Sequence, residues 1–281
     1  MRVLRGEARS WPRMSEPTAL AVGVFDGMHS GHRAVLGVLC RRAGEQGLIP
    51  GVVTFDPHPL AVVAPDRAPA MLTDVEQRIE LLGGLGIELV AVVAFDAATR
   101  NWSAAEFAVG LLADTLAARV VLAGEDFRFG RDRSGDVAAL RLLGESHGFE
   151  TVVLPLVGGG RPASSRALRA MIAAGEVGAV AAELERPHEV RGTARRHGAG
   201  LVAQIPPGMA LPAPGTYAAL VGRDAGEALP AAVDVAGGVG VRLLGADPGF
   251  DGAEFRVRFV ARIPADASDS AIRVALGRQG S

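Results

Sequence analysis

The stretch Gly23-Val24-Phe25-Asp26-Gly27-Met28-His29-Ser30-Gly31-His32 constrains this chain more than any other. The apolar run Ala19 to Val24 leads into it and reads as a short buried strand. A helical pattern opens directly behind it, with Val35, Val38 and Leu39 on one side. Strand, glycine-rich turn and helix in immediate succession bring backbone N–H groups and the positive end of a helix to one point. Gly27 and Gly31 let the backbone bend and approach a ligand where a Cβ would intrude. The imidazoles of the H-x-G-H arrangement can donate hydrogen bonds to phosphate oxygens, which suits attack on a nucleoside triphosphate, where charge grows on the phosphates. Two histidines beside a turn also fit a surface position or half a metal site. The strand before, the helix behind and the preceding Phe-Asp-Gly favour the nucleotide site.

Composition narrows the field. A chain of 281 residues, 49% hydrophobic and 21% charged, is globular, and its length predicts two domains. A net charge of −2 gives no electrostatic case for nucleic acid as a partner. Cys40 is the only cysteine, which excludes a disulfide within the chain and a cysteine-based zinc site. Arg2, Arg5, Glu7 and Arg9 interrupt any apolar signal region, and no apolar stretch is long enough to span a bilayer. A cytoplasmic protein with no membrane partner is expected. Oligomeric state is left open.

Read in order, residues 1–18 are expected to be an exposed lead-in. After the histidine loop, a helix from about Gly31 to Gln46 stops at Gly47. Ile49 to Phe55 is the second strand and runs into Asp56-Pro57-His58-Pro59, a loop that the two prolines stiffen. A rigid loop at the C-terminal end of a strand is where open α/β sheets place ligand groups. Thr73 to Glu76 and Ser103 to Glu106 each spell a capping box at a helix start. Strands follow at Leu89 to Ala94, Arg119 to Ala123 and Thr151 to Leu154, with a helix from Asp136 to His147 and a helical run after Ser164-Ser165. The alternation predicts a doubly wound parallel sheet. Near Arg186-Pro187 the texture changes to β-branched and alternating segments: Glu189 to Ala194, Thr216 to Val221, Val239 to Leu244 and Glu254 to Ile263. They predict a small antiparallel barrel or sandwich, followed by a weak helical tail. The expected domains are therefore 1–185 and 186–281.

Four stretches fall in the order and spacing of one family: Gly23 to His32, Val53 to Pro59, Gly124 to Gly130, and Ser164 to Arg169. On these the chain resembles the bacterial bifunctional riboflavin kinase/FAD synthetases, closely over about 1–185 and distantly beyond. The resemblance implies a nucleotidyltransferase fold followed by a β-barrel, and an N-terminal module that adenylylates FMN with ATP, Mg²⁺ accompanying the ATP. It assigns His29 and His32 to the ATP phosphates in the transition state, and Gly23, Phe25, Asp26 and Gly27 to the loop that shapes their site. Asp56, Pro57, His58 and Pro59 match the loop bordering flavin and nucleotide. Asp126 and Phe127 match the nucleotide-side segment, completed by Arg128, Phe129 and Gly130. Ser164, Ser165 and Arg169 match a serine-rich turn and an arginine that hold the triphosphate. Where the family usually has a third small hydroxyl residue, this chain has Arg166.

The barrel departs further. The family's Gly-Phe-Pro-Thr-Ala-Asn run, whose Thr and Asn serve metal and nucleotide, corresponds here to Gly200-Leu201-Val202-Ala203-Gln204-Ile205-Pro206. Gly240 stands where the resemblance places the general-base glutamate. A barrel that folds without phosphorylating riboflavin is expected. Two other functions compete with FMN adenylyltransferase: nucleotidyl transfer to a different phosphorylated acceptor, which Arg166 keeps open, and a non-catalytic flavin- or nucleotide-binding regulator.

Overall fold

The computed structural model describes residues 1–155, 164–198, 200–224 and 226–277. Two compact units make up the chain, one formed by Met1–Pro69 with Val75–Pro162, the other by Ala70–Asp74 with Ala163–Ser281.

The first unit is built on six strands: β1 (Arg2–Gly6), β2 (Thr18–Val22), β3 (Ile49–Asp56), β4 (Leu89–Ala94), β5 (Ala118–Gly124) and β6 (Glu150–Leu154). They lie in the order β1-β4-β3-β2-β5-β6 and every neighbouring pair is parallel. Every residue of β2 is buried, as a central strand covered on both faces requires. Its alternate side chains separate two cores. Leu20 and Val22 pack with Trp11, Phe107, Leu111 and Leu140; Ala19 and Ala21 pack with Leu36, Leu39, Ile79 and Leu82. The second group comes from α1 (Ser30–Gln46) and α3 (Val75–Gly84); in the first, Phe107 and Leu111 come from a π-helical segment, Glu106–Thr115, Leu140 from α4 (Val137–His147), and Trp11 from the segment between β1 and β2. This is the doubly wound sheet that the alternation of strands and helices predicts.

One expectation is corrected. Residues 1–18 are not a mere lead-in, because Arg2–Gly6 forms β1 and pairs in parallel with β4 from Arg2↔Leu89 to Gly6↔Val93. Only Val3 and Leu4 of this edge strand pack against the cores, so its arginines mask it in the sequence. The second capping box forms as expected: Ser103 N–H donates to Glu106 Oε2 at 2.8 Å and Glu106 N–H to Ser103 Oγ at 3.1 Å.

The second unit is a closed antiparallel barrel of β7 (His188–His197), β8 (Gly200–Gln204), β9 (Gly215–Gly222), β10 (Leu229–Val235), β11 (Val239–Leu243) and β12 (Glu254–Ile263), in the order β10-β11-β8-β7-β12-β9. β8 and β10 add to the four strands expected there. Val190, Ala194, Tyr217, Val233, Val241, Phe255, Val257 and Phe259 belong to its core. Packing groups α5 (Ser165–Ala174) and α6 (Val177–Leu184) with this barrel, whereas the texture of the sequence breaks at 185/186. The reason is apolar: Val177 of α6 belongs to the barrel core, and Leu168, Ile172, Val180 and Leu184 form a satellite cluster with Leu72 and Ala210. Leu72 arrives on the short segment Ala70–Asp74, where Met71 exchanges backbone hydrogen bonds with Gly208 and Ala210. The tail forms α7 (Asp269–Gly277), anchored by Ile272 against Ala218 and Ala232.

Candidate nucleotide site

The strand order places a topological switch between β2 and β5: from β2 the chain winds outward through β3 and β4, and from β5 it winds the other way to β6. Ligands of open α/β sheets bind outside the C-terminal strand ends at such a point. The loop after β2 carries the two histidines, and the loop after β5 carries Asp126 and Phe127.

The histidine loop is held in an unusual shape. Phe25 and Met28 take positive φ values of 52° and 47°, alongside Gly27 at 82°. Left-handed backbone at bulky residues is strained and persists only when its surroundings fix it. Here both side chains are buried in the core beneath α1. Gly31 leaves the His29 ring its room, since a Cβ there would lie 3.2 Å from it, a tight contact. Asp26 is 2% exposed beneath the loop.

His29 is the N-cap of α1, its Nδ1 accepting the backbone N–H of His32 at 3.4 Å. With Nδ1 an acceptor, the neutral ring carries its proton on Nε2. The His32 ring stacks on it, centroids 3.7 Å apart, and meets the edge of Phe25 at 5.2 Å. His32 Nδ1 is buried with no hydrogen-bond partner among the described residues. Burial, with the charge of Arg33 adding to it and that of Asp26 opposing it, pushes His29 down to about 4. Burial and the neighbouring His29 push His32 down to about 3. At neutral pH the pair is therefore uncharged at the positive end of a helix, an arrangement that donates to anionic oxygens without the cost of a buried cation.

Asp56, Pro57, His58 and Pro59 leave the end of β3, the neighbour of β2. His58 Nδ1 accepts the Leu60 N–H at 3.0 Å and so caps the short helix α2 (Pro59–Val63), with Pro59 in its first turn. The segment after β5 is anchored by aromatic rings: Phe127 stacks on Phe129 at 5.3 Å and both approach Phe107. Phe129 and Gly135 exchange backbone hydrogen bonds at 3.1 and 2.9 Å, which leaves Asp126 exposed at the loop's tip.

Sequence reasoning missed Arg78. It is 1% exposed, yet it lies on α3 among Ile79 and Leu82. Its Nη1 donates to Val24 O at 3.0 Å, Thr54 Oγ1 at 3.0 Å and Phe55 O at 3.3 Å. The signal was present: Val75, Arg78, Ile79 and Leu82 share one helical face, so a cation sits on an apolar stripe.

In the second unit, Ser164 is the N-cap of α5, its hydroxyl accepting the Ala167 N–H at 3.2 Å. Ser165 and Arg166 occupy the first turn. Arg169 Nε donates to Ala70 O at 2.6 Å. On the barrel, Gly240 of β11 pairs with Val202 on one side and Asp234 on the other. All three line a groove of about 490 Å³, with His197, Arg242 and Ile272 among its other walls.

The profile of FAD synthetase matches residues 12–167, which takes in every expected site position except Arg169. The chain belongs to the FAD synthetase family. It is 33% identical over 193 residues to the bifunctional riboflavin kinase/FMN adenylyltransferase of Escherichia coli (strain K12), a match covering 68% of this chain and 62% of that protein. To the protein of the same description from Pseudomonas fluorescens it is 36% identical over 189 residues, covering 66% and 59%. The matched region thus spans less than two thirds of these relatives' length. A solved structure described as a macrolide-efflux protein from Streptococcus pneumoniae superposes with a TM-score of 0.79 at 20% identity, over 99% of this chain and 96% of that one. That likeness shows the shared fold, a parallel-sheet unit followed by a β-barrel. Among the described residues, no helix is long and apolar enough to cross a membrane.

Proposed function

We propose that the protein is an FMN adenylyltransferase, converting ATP and FMN to FAD and pyrophosphate. The observation that carries this reading is the stacked, uncharged pair His29 and His32 at the start of α1, beside the sheet's switch point. An FMN phosphate oxygen attacks the α-phosphorus in line, and the bond to the bridging oxygen of pyrophosphate breaks. No covalent enzyme intermediate is needed, so positioning and electrostatics carry the rate. The His29 Nε2–H and the N-terminal N–H groups of α1 stabilise the charge that grows on the phosphates. Gly23, Phe25, Asp26 and Gly27 hold that loop in shape, and Asp56, Pro57, His58 and Pro59 border the flavin. Asp126 and Phe127 serve the nucleotide side. Ser164, Ser165 and Arg169 hold the triphosphate, the hydroxyls by donating from a helix start and Arg169 by its charge.

Imidazole and backbone N–H groups suit phosphate oxygens and do not suit a hard cation that prefers oxygen ligands. Mg²⁺ is therefore assigned to the ATP substrate, where phosphate oxygens and water would be its ligands. The setting proposed is the cytoplasm.

Riboflavin kinase activity is proposed to be absent. Ala203 and Ile205, which stand where the family has its Thr and Asn, supply no metal ligand, and Gly240 supplies no proton acceptor; among the described residues, the groove that Gly240 lines offers one carboxylate, Asp234. Arg166, in the first turn of α5, keeps a different phosphorylated acceptor as the second reading. Purified protein incubated with ATP, Mg²⁺ and either FMN or riboflavin, with chromatography of the flavins, tests both halves. FAD from FMN with no FMN from riboflavin is expected. FMN formed from riboflavin would overturn the kinase half. Absence of FAD, with pyrophosphate released only on another phosphorylated acceptor, would establish the second reading.

A further inference from the structure

The hydrogen-bond ladder between β2 and β3 ends where the ligand loops begin. Its last paired residues are Val22 and Val53, followed by one bond from Gly23 N–H to Val53 O at 3.0 Å. Beyond it the two chains part, one toward the histidines and the other toward Asp56-Pro57-His58-Pro59. Carbonyls at such a fork lose their sheet partners and must be satisfied by other means. Arg78 does this for both chains. One guanidinium nitrogen reaches Val24 O on the first chain, and Thr54 Oγ1 and Phe55 O on the second. The Thr54 hydroxyl in turn donates to Val24 O at 3.1 Å. Val24 precedes the strained Phe25, and Phe55 precedes Asp56, so the bridge sits at the root of both loops. Burying a guanidinium carries a desolvation cost that a hydroxyl or water would avoid. The planar cation is the group that can hold several carbonyls at fixed spacing.

We propose that Arg78, acting with Thr54, is a positioning residue for adenylyl transfer: it fixes the spacing of the histidine loop and the Asp56–Pro59 loop, and so the alignment of the triphosphate with the attacking acceptor phosphate. This rests on the FMN adenylyltransferase reading. An error in alignment of about 1 Å lowers turnover on the order of 100-fold. A loss of alignment acts on kcat and leaves ground-state binding nearly intact.

The test compares wild type with Arg78→Met, Arg78→Lys, Thr54→Val and the Arg78→Met Thr54→Val double variant. It reads kcat and KM for ATP and FMN, thermal unfolding, and amide hydrogen exchange in the ligand-free protein. Arg78→Met is expected to lower kcat about 100-fold with KM within about threefold. Exchange should accelerate in residues 23–32 and 55–60 and stay unchanged in β4 and β5. Arg78→Lys should recover part of kcat, since an ammonium reaches some of the same acceptors without their geometry. The double variant should be no worse than Arg78→Met alone, because the two side chains act as one unit. If Arg78→Met does not fold, Arg78→Lys and Thr54→Val carry the test, each expected to lose turnover at a wild-type melting temperature. Turnover per folded molecule within about twofold of wild type, or a rise in KM with kcat unchanged, would overturn the proposal. If wild type makes no FAD, the functional reading fails, and loop exchange in the same variants decides whether Arg78 sets the loops: unchanged exchange overturns that role independently.

Discussion

The imidazole rings of His29 and His32 lie stacked, centroids 3.7 Å apart and planes inclined by 21°. The same two residues are joined through the backbone, since His29 Nδ1 accepts the His32 N–H. One histidine therefore caps the helix that carries the other, and a substitution at His29 removes a cap together with the donor proposed for phosphate. Asparagine separates the two roles, because it caps helices well and cannot place a donor where Nε2 sits. His29→Asn should keep the melting temperature within a few degrees and lower kcat for FAD formation by about 100- to 1000-fold, the usual cost of one preorganised donor. His29→Ala should show the same loss of turnover plus about 1 kcal/mol of stability. Denaturant melts and FAD chromatography on both variants check this. Wild-type turnover in His29→Asn would remove His29 from the chemistry.

How much of this was readable from the chain depends on how local each cause is. The β2 strand, its glycine turn and α1 are contiguous, so apolar run, glycines and helical stripe announce them together. The Ser103–Glu106 capping box spans one turn and formed as spelled. β1 was missed because Arg2 and Arg5 hide an edge strand whose partner, β4, lies far along the chain. β10 was missed because Pro230 interrupts its pattern, although that residue pairs with Leu220 within the barrel. Arg78 was missed because its acceptors, Val24, Thr54 and Phe55, come from other elements. The cap role of His58 was equally invisible, since proline flanks suggest a rigid loop and not a helix start.

The depressed histidines make stability depend on pH in a defined direction. An unfolded histidine titrates near 6.5. In the folded chain His29 titrates at about 4 and His32 at about 3. Between these values the unfolded state binds more protons, so stability is full above about pH 6.5 and falls as pH falls, by up to about 1.4 kcal/mol per unit for each histidine. The loss levels off once the folded pair is itself protonated. Carboxylates with lowered values, such as Asp136 and Glu106, add their own loss only below the ordinary carboxylate range. The window from about pH 5 to 6.5 therefore isolates the histidines. Urea melts across it should show a slope that the His29→Asn His32→Gln variant flattens. A slope equal in both proteins would place the pH dependence elsewhere.

The Ser103–Glu106 box lies outside the groups assigned to ATP and FMN, and it starts the π-helical segment whose Phe107 and Leu111 fill one core. Ser103→Ala should cost about 1 kcal/mol of stability. FAD formation per folded molecule should stay at the wild-type level. A large fall in kcat at this position would mean that the Phe107 contact with Phe127 transmits to the site.

Ser164 poses the converse problem, a cap proposed to serve a ligand as well. Its hydroxyl accepts the Ala167 N–H, and a hydroxyl that accepts still has a proton to donate to phosphate. Aspartate preserves the cap and favours the helix dipole, so Ser164→Asp should leave the melting temperature unchanged or slightly raised. It also sets a negative charge where the triphosphate is proposed to lie, and like charges repel. KM for ATP should therefore rise by about tenfold or more, equivalent to about 1.4 kcal/mol. Ser164→Asn, a neutral cap, should fall between wild type and Ser164→Asp. Steady-state kinetics with ATP varied at saturating FMN, beside thermal melts, distinguish the outcomes. An unchanged KM in Ser164→Asp would confine Ser164 to capping α5 and move the second phosphate cradle away from that helix.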